Sequence, residues 1–348
     1  MTWNSRPLHW PTPLRPGSRI VVTAPSSGVE PSLHARLDLV IAHLQAQGFV
    51  VEEGQCLRQQ QQGASASADH RATELMQALR RDDVAAVFPP WGGELAIELL
   101  ARLDWSALAS ARPKWLIGYS DTSTLQVPLT LRLGWPTAHG PCLMDLAPTQ
   151  TDALTVAALS HLGTPGGGRF EQRQSRCWQL KWTDFATQPD VPYRLTEPTH
   201  WRWLNPPTAG ADEIRFSGRL IGGCLDTLVH LAGSAWAPWP GAGTLLFLEN
   251  AEMSPVALVR ALHRLRGSGW LDGLAGVLWG RSSAPDSTGA SNLRYADAIQ
   301  QELGALACPV LVDVDIGHRP PHLMLVNGAW VDVSWSAAEG GRVVQTLG

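Results

Sequence analysis

Three side chains of the types that carry out serine-dependent hydrolysis follow apolar runs of this chain. Ser120 comes after the run 115–118, Glu249 ends the run 244–248, and His318 lies in a loop after the run 309–314. A serine nucleophile needs a base, and the base needs an orienting group, whatever their order along the chain. We therefore expect the Ser120 hydroxyl to lie within hydrogen-bond reach of His318, with Glu249 on the other ring nitrogen.

A loop with two adjacent glycines supplies the other part that such a reaction needs. Gly92 and Gly93 allow their backbone N–H groups to approach a substrate closely, and the amide of Asp121 follows the candidate nucleophile. Backbone donors of this kind stabilise the oxyanion of an acyl-transfer transition state. We predict an oxyanion hole from Gly92 and Asp121, and substrate contacts from Gly93 and Trp91.

Each of these residues also has an ordinary structural explanation. Ser120 could cap a helix, and Glu249 with Glu252 could mark a helix start, where acidic residues favour the helix dipole. His318 could be a hydrogen-bonded loop residue, and the paired glycines a tight turn. His318 and His322 are four residues apart in a proline-interrupted loop rather than on a helix, so no metal site is predicted. The residues alone leave these alternatives open, and their shared position in strand-end loops favours catalysis.

The elements that must position these residues alternate between apolar strands and amphipathic helices in the first part of the chain. This order predicts a parallel sheet covered on both faces. In such sheets the loops at the carboxyl ends of the strands carry function. The loops 25–27, 91–93 and 119–121 all hold that position. We therefore expect them to meet at one edge of the sheet.

The regular alternation stops where a Thr-Pro-Gly-Gly-Gly segment begins at Thr164. We predict an N-terminal nucleophile domain over 13–162 and a Trp-rich linker or insertion over 163–215. Strands and helices then resume, which predicts a smaller C-terminal α/β domain with mixed strands over 216–348. That domain would carry the glutamate and the histidine.

Composition excludes several classes of protein. The net charge of -4 gives no reason to expect a nucleic-acid partner, and no run approaches the ~20 apolar residues that a membrane span needs. The N-terminus has no apolar core of signal-peptide length. The 5 cysteines are scattered without a C-x-x-C pair, which excludes a zinc ribbon and a disulfide framework. The sequence predicts a soluble cytoplasmic protein.

Together, six short segments resemble the LD-carboxypeptidase family of serine peptidases, and the resemblance extends from about residue 13 to the C-terminus. It implies that Ser120, Glu249 and His318 form the triad and that Gly92 and Asp121 form the oxyanion hole. It also implies a flavodoxin-like N-terminal domain, a distinct C-terminal domain, a homodimer, and no metal or organic cofactor. The segments are Ala24-Pro-Ser-Ser27, Trp91-Gly-Gly-Glu94, Ile117-Gly-Tyr-Ser-Asp-Thr122, Gly218-Arg-Leu-Ile-Gly-Gly-Cys-Leu-Asp-Thr-Leu228, Leu246-Phe-Leu-Glu249 and Asp315-Ile-Gly-His318.

The same resemblance implies two activities, both on small molecules. One removes the terminal D-alanine of cytoplasmic murein tetrapeptides, and the other cleaves the amide between an aspartyl group and a modified nucleotide, as in microcin C immunity. We favour the murein activity because cell-wall recycling is a general need. An insertion aromatic stacks on the nucleobase in the second type. The candidates here are Trp178, Trp182, Trp201 and Trp203, which could instead cover a dimer interface. A binding protein without catalysis is a third alternative, against which the complete triad argues.

Overall fold

A computed structural model describes residues 7–208, 210–289 and 292–348 of the chain. The N-terminal segment in which no signal peptide was predicted includes residues 1–6, which lie outside the described residues. The helices are α1 (His34–Ala46), α2 (Ala68–Arg80), α3 (Trp105–Ala109), α4 (Ser123–Leu133), α5 (Ala153–His161), α6 (Leu225–Leu228), α7 (Pro255–Gly267) and α8 (Tyr295–Leu303). The strands of the first part of the chain are β1 (Arg19–Val22), β2 (Val50–Glu53), β3 (Val84–Val87), β4 (Trp115–Gly118) and β5 (Thr137–His139).

The later strands continue this numbering. They are β6 (Arg169–Arg173), β7 (Cys177–Trp178), β8 (Glu197–Pro198), β9 (Arg202–Trp203), β10 (Glu213–Cys224), β11 (Thr244–Glu249), β12 (Gly276–Gly280), β13 (Val310–Val314), β14 (Leu325–Asn327), β15 (Trp330–Ser336) and β16 (Gly340–Thr346). Strands β7 and β8 form a small ribbon of their own. All the others belong to two larger sheets.

The first sheet is the parallel sheet that the sequence predicts. Its order is β14-β5-β4-β3-β1-β2, in which β1 to β5 are parallel and β14 is antiparallel. Strand β4 is buried at every position, which is why it appears in the sequence as a continuous apolar run. The carboxyl ends of β1, β3 and β4 therefore face the same edge.

The second sheet is mixed, with the order β6-β16-β15-β10-β11-β12-β13-β9. Its centre, β10 to β13, is parallel, and antiparallel strands lie on both sides. The predicted α/β class, with a parallel sheet and a second mixed sheet, is thus confirmed. In the described part of the chain this second sheet has more strands than the first, although the sequence suggests the smaller unit here.

The extra strands come from segments that look irregular in the sequence. Strand β6 pairs with β16, and β9 pairs with β13, so the predicted insertion 163–215 contributes both edges of the second sheet. Conversely, strand β14, from the C-terminal part of the chain, joins the first sheet, where it pairs antiparallel with β5. The domain boundaries at 162 and 215 stay predictions.

The two sheets share their hydrophobic core, and this brings their loops together. One buried cluster contains Val87 and Leu246, and another contains Ile117 and Phe247. Buried Asn327 links the sheets further, because it accepts from Gly222 N at 2.9 Å and donates to Thr137 Oγ1 at 3.2 Å. No helix within the described residues combines the length and the apolar character needed to cross a bilayer.

Candidate active site

Ser120 lies at a strained turn directly after β4. Its φ is +60°, in the left-handed region that residues other than glycine seldom adopt. The turn then leads through a 3₁₀ segment, Ser120–Thr122, into α4. Ser120 is not a helix cap, because Tyr119 and Thr122 occupy the cap positions and neither makes a side-chain cap hydrogen bond. Such a turn presents a serine hydroxyl at the edge of the sheet, as a nucleophile requires.

The Glu249 carboxylate and the His318 ring form a pair in the protein interior. Glu249 ends β11 with 0% exposure, and its Oε2 lies 3.0 Å from His318 Nδ1. Gly317 allows this approach, since its φ is +98° and a Cβ there would lie 2.7 Å from Glu249 Oε2. The carboxylate thus occupies Nδ1 and leaves Nε2 on the side available for proton transfer.

The charges of this pair support each other. Burial alone would lower the pKa of His318, but the adjacent Glu249 outweighs it and raises that pKa above 6.5. Burial alone would raise the pKa of Glu249, but the charge and hydrogen bond of His318 bring it below 4.5. Glu249 is therefore ionised at neutral pH, where it stabilises a protonated His318.

Ser120 and His318 line the same pocket. Among the residues that the structure describes, however, no hydrogen bond joins the Ser120 hydroxyl to the His318 ring. Catalytic hydrogen bonds of this type are often long before substrate binds and tighten in the complex. The arrangement brings the candidate nucleophile and the candidate base to one cavity, with no hydrogen bond between them among the described residues.

The Asp121 carboxylate ties the surrounding loops to the Ser120 turn. Its Oδ2 accepts from Ser26 Oγ at 2.6 Å and from Ala96 N at 2.8 Å, while Oδ1 accepts from Thr124 Oγ1 at 2.8 Å. These bonds join the loops after β1, β3 and β4, so the predicted meeting of the three loops is confirmed. The sequence predicted a role for the Asp121 amide but not for this carboxylate.

The glycine loop lies against the Ser120 turn so closely that no side chain fits between them. A Cβ on Gly92 would lie 2.8 Å from Ser120 Oγ and 2.7 Å from Asp121 N. A Cβ on Gly93 would collide with Ser27 Oγ. The space beside Gly92 thus faces both the hydroxyl and the Asp121 amide, which is where an oxyanion would have to bind.

Ser120 and His318 line both a pocket of about 410 Å³ and a smaller cavity of about 160 Å³. Glu94 and Glu252 line both cavities, and Asp226 lines the smaller one. In the described part of the chain neither lining contains Lys or Arg. The surroundings of the site are therefore acidic.

The aromatic candidates separate into those in the pocket and those elsewhere. Trp91 lines the larger pocket and donates its indole N–H to Gly28 O at 3.1 Å. Trp182 lines it too and is 56% exposed.

The other three insertion tryptophans lie outside both cavities. Trp201 is buried in the core, where its indole N–H donates to Asp315. Trp178 lies in β7 near Arg281, and Trp203 lies in β9. The expected substrate contacts of these three therefore receive no support, because their side chains pack against the protein.

The surroundings of the candidate base include Tyr119, His139 and His322, and the sequence predicted a place beside His318 for none of them. Tyr119 packs edge-on against His318 and stacks on His322, both at ring distances of 5.0 Å. Burial lowers the pKa of His322 to about 3 and that of His139 to about 4. Both rings are therefore neutral near pH 7 and do not compete with His318 for the charge of Glu249.

Comparison with known proteins shows that the chain matches the models of one protein family. The model of the LD-carboxypeptidase N-terminal domain matches residues 20–140, and that of the C-terminal domain matches residues 217–333. The murein tetrapeptide carboxypeptidase of Pseudomonas aeruginosa is 26% identical and covers 93% of this chain and 94% of its own. The microcin C7 self-immunity protein MccF of Escherichia coli is 25% identical, over 91% and 90%.

Solved structures share the fold. MccF in complex with glutamyl sulfamoyl guanosine has a TM-score of 0.83 at 23% identity and covers 98% of this chain and 100% of its own. The muramoyltetrapeptide carboxypeptidase from Oxalobacter formigenes has a TM-score of 0.73 at 22% identity, over 94% and 99%. At these identities the likeness concerns the fold, and it extends over nearly the whole chain.

Proposed function

The chain belongs to the LD-carboxypeptidase family and is a serine-type carboxypeptidase, and from this premise we propose that it removes the terminal D-alanine of murein tetrapeptides. The observation that carries the proposal is the pair of Glu249 and His318 at 3.0 Å, on the same pocket as the strained Ser120. Nucleophile, base and orienting carboxylate are the three parts that acyl transfer requires.

In the proposed reaction, Ser120 Oγ attacks the scissile carbonyl while His318 Nε2 takes its proton. Glu249 stabilises the imidazolium that forms. The amides of Gly92 and Asp121 bind the oxyanion, close to the N-terminal end of α4, where the helix dipole favours negative charge. His318 then gives its proton to the leaving amine, and water hydrolyses the acyl-enzyme by the same route.

The names of relatives support a peptide substrate. Relatives that match more than nine-tenths of the chain are named as murein peptide carboxypeptidases. The exposed carboxylates of Glu94 and Glu252 line both cavities and would repel an anionic group of either a peptide or a nucleotide, so the charge of the lining does not choose between the two substrates. In this proposal the terminal carboxylate of the peptide is bound by backbone N–H groups of the loop at Gly93.

Trp182 favours a second candidate function, the cleavage of an aminoacyl-nucleotide amide. It is the insertion tryptophan that lines the pocket, and 56% of it is exposed. Stacking of an aromatic side chain on a nucleobase contributes about 1–3 kcal/mol. The bound nucleotide analogue in a structural neighbour gives this alternative its substrate class.

The experiment is a parallel assay of purified protein on an L,D-tetrapeptide and on aspartyl sulfamoyl adenosine. We expect D-alanine release from the first, with Trp182→Ala changing KM less than about threefold. Trp330→Ala is the matched control, since Trp330 is 52% exposed and lines neither active-site cavity. Cleavage of the nucleotide alone, with KM raised about tenfold by Trp182→Ala and not by the control, would replace the murein proposal. The homodimer and the cytoplasmic location stay predictions.

A further inference from the structure

A thiol lies beside the proposed base and its carboxylate. One ligand-type atom each of Cys224, Glu249 and His318 lies within 4.8 Å of the other two. Cys224 is the last residue of β10 and pairs in register with Glu249 of β11, so the two neighbouring strands deliver both side chains to one place. The scattered positions 224, 249 and 318 gave no hint of this cluster.

One oxygen atom of the cluster that could bind a metal lacks a normal hydrogen bond among the described residues. Glu249 is fully buried, and its Oε2 contacts His318, whereas Oε1 makes no hydrogen bond of normal geometry among the described residues. The Cys224 thiol donates to Asp226 Oδ2 at 3.6 Å and also lies close enough to the Glu249 carboxylate to interact with it. A buried carboxylate oxygen is normally satisfied by a donor or a cation. This oxygen belongs to the same group that the thiol and the imidazole surround.

A cation from solvent can reach the cluster. Cys224 and His318 both line the cavity of about 160 Å³, together with Asp226, Glu94 and Glu252. These carboxylates raise the local concentration of cations. A cation that enters this cavity therefore meets the Cys224 thiol and the His318 imidazole.

The donor set matches zinc. Zn²⁺ binds Cys sulfur, His nitrogen and Glu oxygen at about 2.0–2.3 Å in a tetrahedral arrangement, which places ligand atoms about 3.5 Å apart. The Glu249 and His318 atoms, now 3.0 Å apart, would have to open by about 0.5 Å, and the Cys224 sulfur, within 4.8 Å of both, would have to move closer by up to about 1.3 Å. Water from the cavity supplies the fourth ligand.

We propose that Cys224, Glu249 and His318 form an inhibitory zinc site in which the metal takes the proposed base out of catalysis. On binding, the Cys224 S–H bond is replaced by a sulfur–zinc bond and its proton passes to solvent. His318 gives the lone pair of Nδ1, the nitrogen that faces Glu249, to the ion, so the one N–H proton of the neutral ring moves from Nδ1 to Nε2. Nε2 then has no lone pair with which to accept the proton of Ser120. The inhibition rests on the proposed function, but metal binding by the cluster does not.

A second set of ligand-type side chains provides the control. Cys56, His70 and Glu74 also lie within 4.8 Å of one another, but Glu74 already accepts from the amides of Gln55 and Cys56. The set lies apart from both active-site cavities. Cys56→Ser therefore removes a thiol of the same kind without touching the proposed site.

The test is a zinc titration of kcat/KM on the tetrapeptide with wild-type protein, Cys224→Ser and Cys56→Ser. In wild type and Cys56→Ser we expect an about elevenfold loss at free zinc ten times the dissociation constant, which EDTA reverses. Cys224→Ser, measured relative to its own zinc-free rate, should require at least about tenfold more zinc for the same fractional loss. Equal inhibition of Cys224→Ser and wild type would overturn the proposal.

A spectroscopic arm tests the site without turnover. Cobalt(II) added to Cys56→Ser protein should give a thiolate-to-cobalt charge-transfer band that is lost when Cys224→Ser is added to that background. Absence of the band, or its survival in the double variant, would overturn the site even if a variant proves inactive. Should no peptide be cleaved, the proposed function fails while the cobalt result still decides the site. Activation by zinc would overturn the inhibitory role and the serine mechanism together.

Discussion

The charge of Glu249 provides the sharpest test of the proposed mechanism, through the substitution Glu249→Gln. A carboxylate and an imidazolium at the observed 3.0 Å attract by about 5.5 kcal/mol at an effective dielectric constant of about 20. Since about 1.36 kcal/mol corresponds to a tenfold change in rate, losing this attraction costs about 10⁴ in kcat. The Gln amide keeps a dipole near His318, so we expect a loss of about 10³- to 10⁴-fold.

The pH dependence supplies a second readout with a definite sign. His318 acts as a base only when neutral, so wild-type kcat/KM should fall as the pH is lowered through its pKa. That pKa lies above 6.5 because Glu249 outweighs the effect of burial. In Glu249→Gln burial dominates, so the acid limb of the profile should move to lower pH.

Glu252→Gln is the matched control for this experiment. Glu252 lines both cavities and also raises the pKa of His318, as a weaker influence than Glu249. It has no hydrogen bond to the ring among the described residues, so kcat should fall less than about tenfold. Stopped assays of D-alanine release from pH 5 to 9 on folded variants, checked by circular dichroism, measure both effects. A folded Glu249→Gln within tenfold of wild type, or no worse than Glu252→Gln, would refute the assigned role.

The remaining predictions concern the turn and the loops. Ser120→Ala should reduce turnover to background with unchanged thermal unfolding, because the hydroxyl makes no cap bond; residual activity near wild type would place the chemistry elsewhere. Gly317→Ala should lower kcat at least about tenfold and stability by about 1–2 kcal/mol, from its left-handed backbone and its contact with Glu249. Gly267→Ala, with open space around it at the end of α7, is the control and should lower neither activity nor stability in the same assays. Asp121→Asn should cost about 1–3 kcal/mol in urea unfolding, because one of its three donors loses its acceptor; unchanged stability would contradict the network.

Part of the fold was predictable from local pattern. The buried strands β1, β3 and β4 are short apolar runs followed by polar or glycine-containing loops. Their alternation with helices predicts parallel order, and parallel order places their carboxyl ends at one edge. The meeting of the loops that contain Ser26, Gly92 and Ser120 follows from that rule alone.

The strands contributed by irregular segments were not predictable in this way. Strand β9 is Arg202–Trp203, two residues whose partners are in β13, more than 100 positions later. An edge strand of this length is stabilised by its neighbour rather than by its own pattern. Only the tertiary structure shows that the insertion supplies both edge strands of the second sheet.

The same division holds for the side chains of the candidate site. The types of Ser120, Glu249 and His318, and their places after apolar runs, are properties of the sequence, and they indicate the chemistry. The sequence does not distinguish Trp182 at the pocket from Trp201 in the core, nor does it bring Cys224 beside Glu249. Burial and proximity depend on how distant segments pack and pair. The local composition does not show which strands pair or in which register. The sequence therefore determined which reaction the chain is equipped for, and the pairing of β10 with β11 decided what surrounds the base.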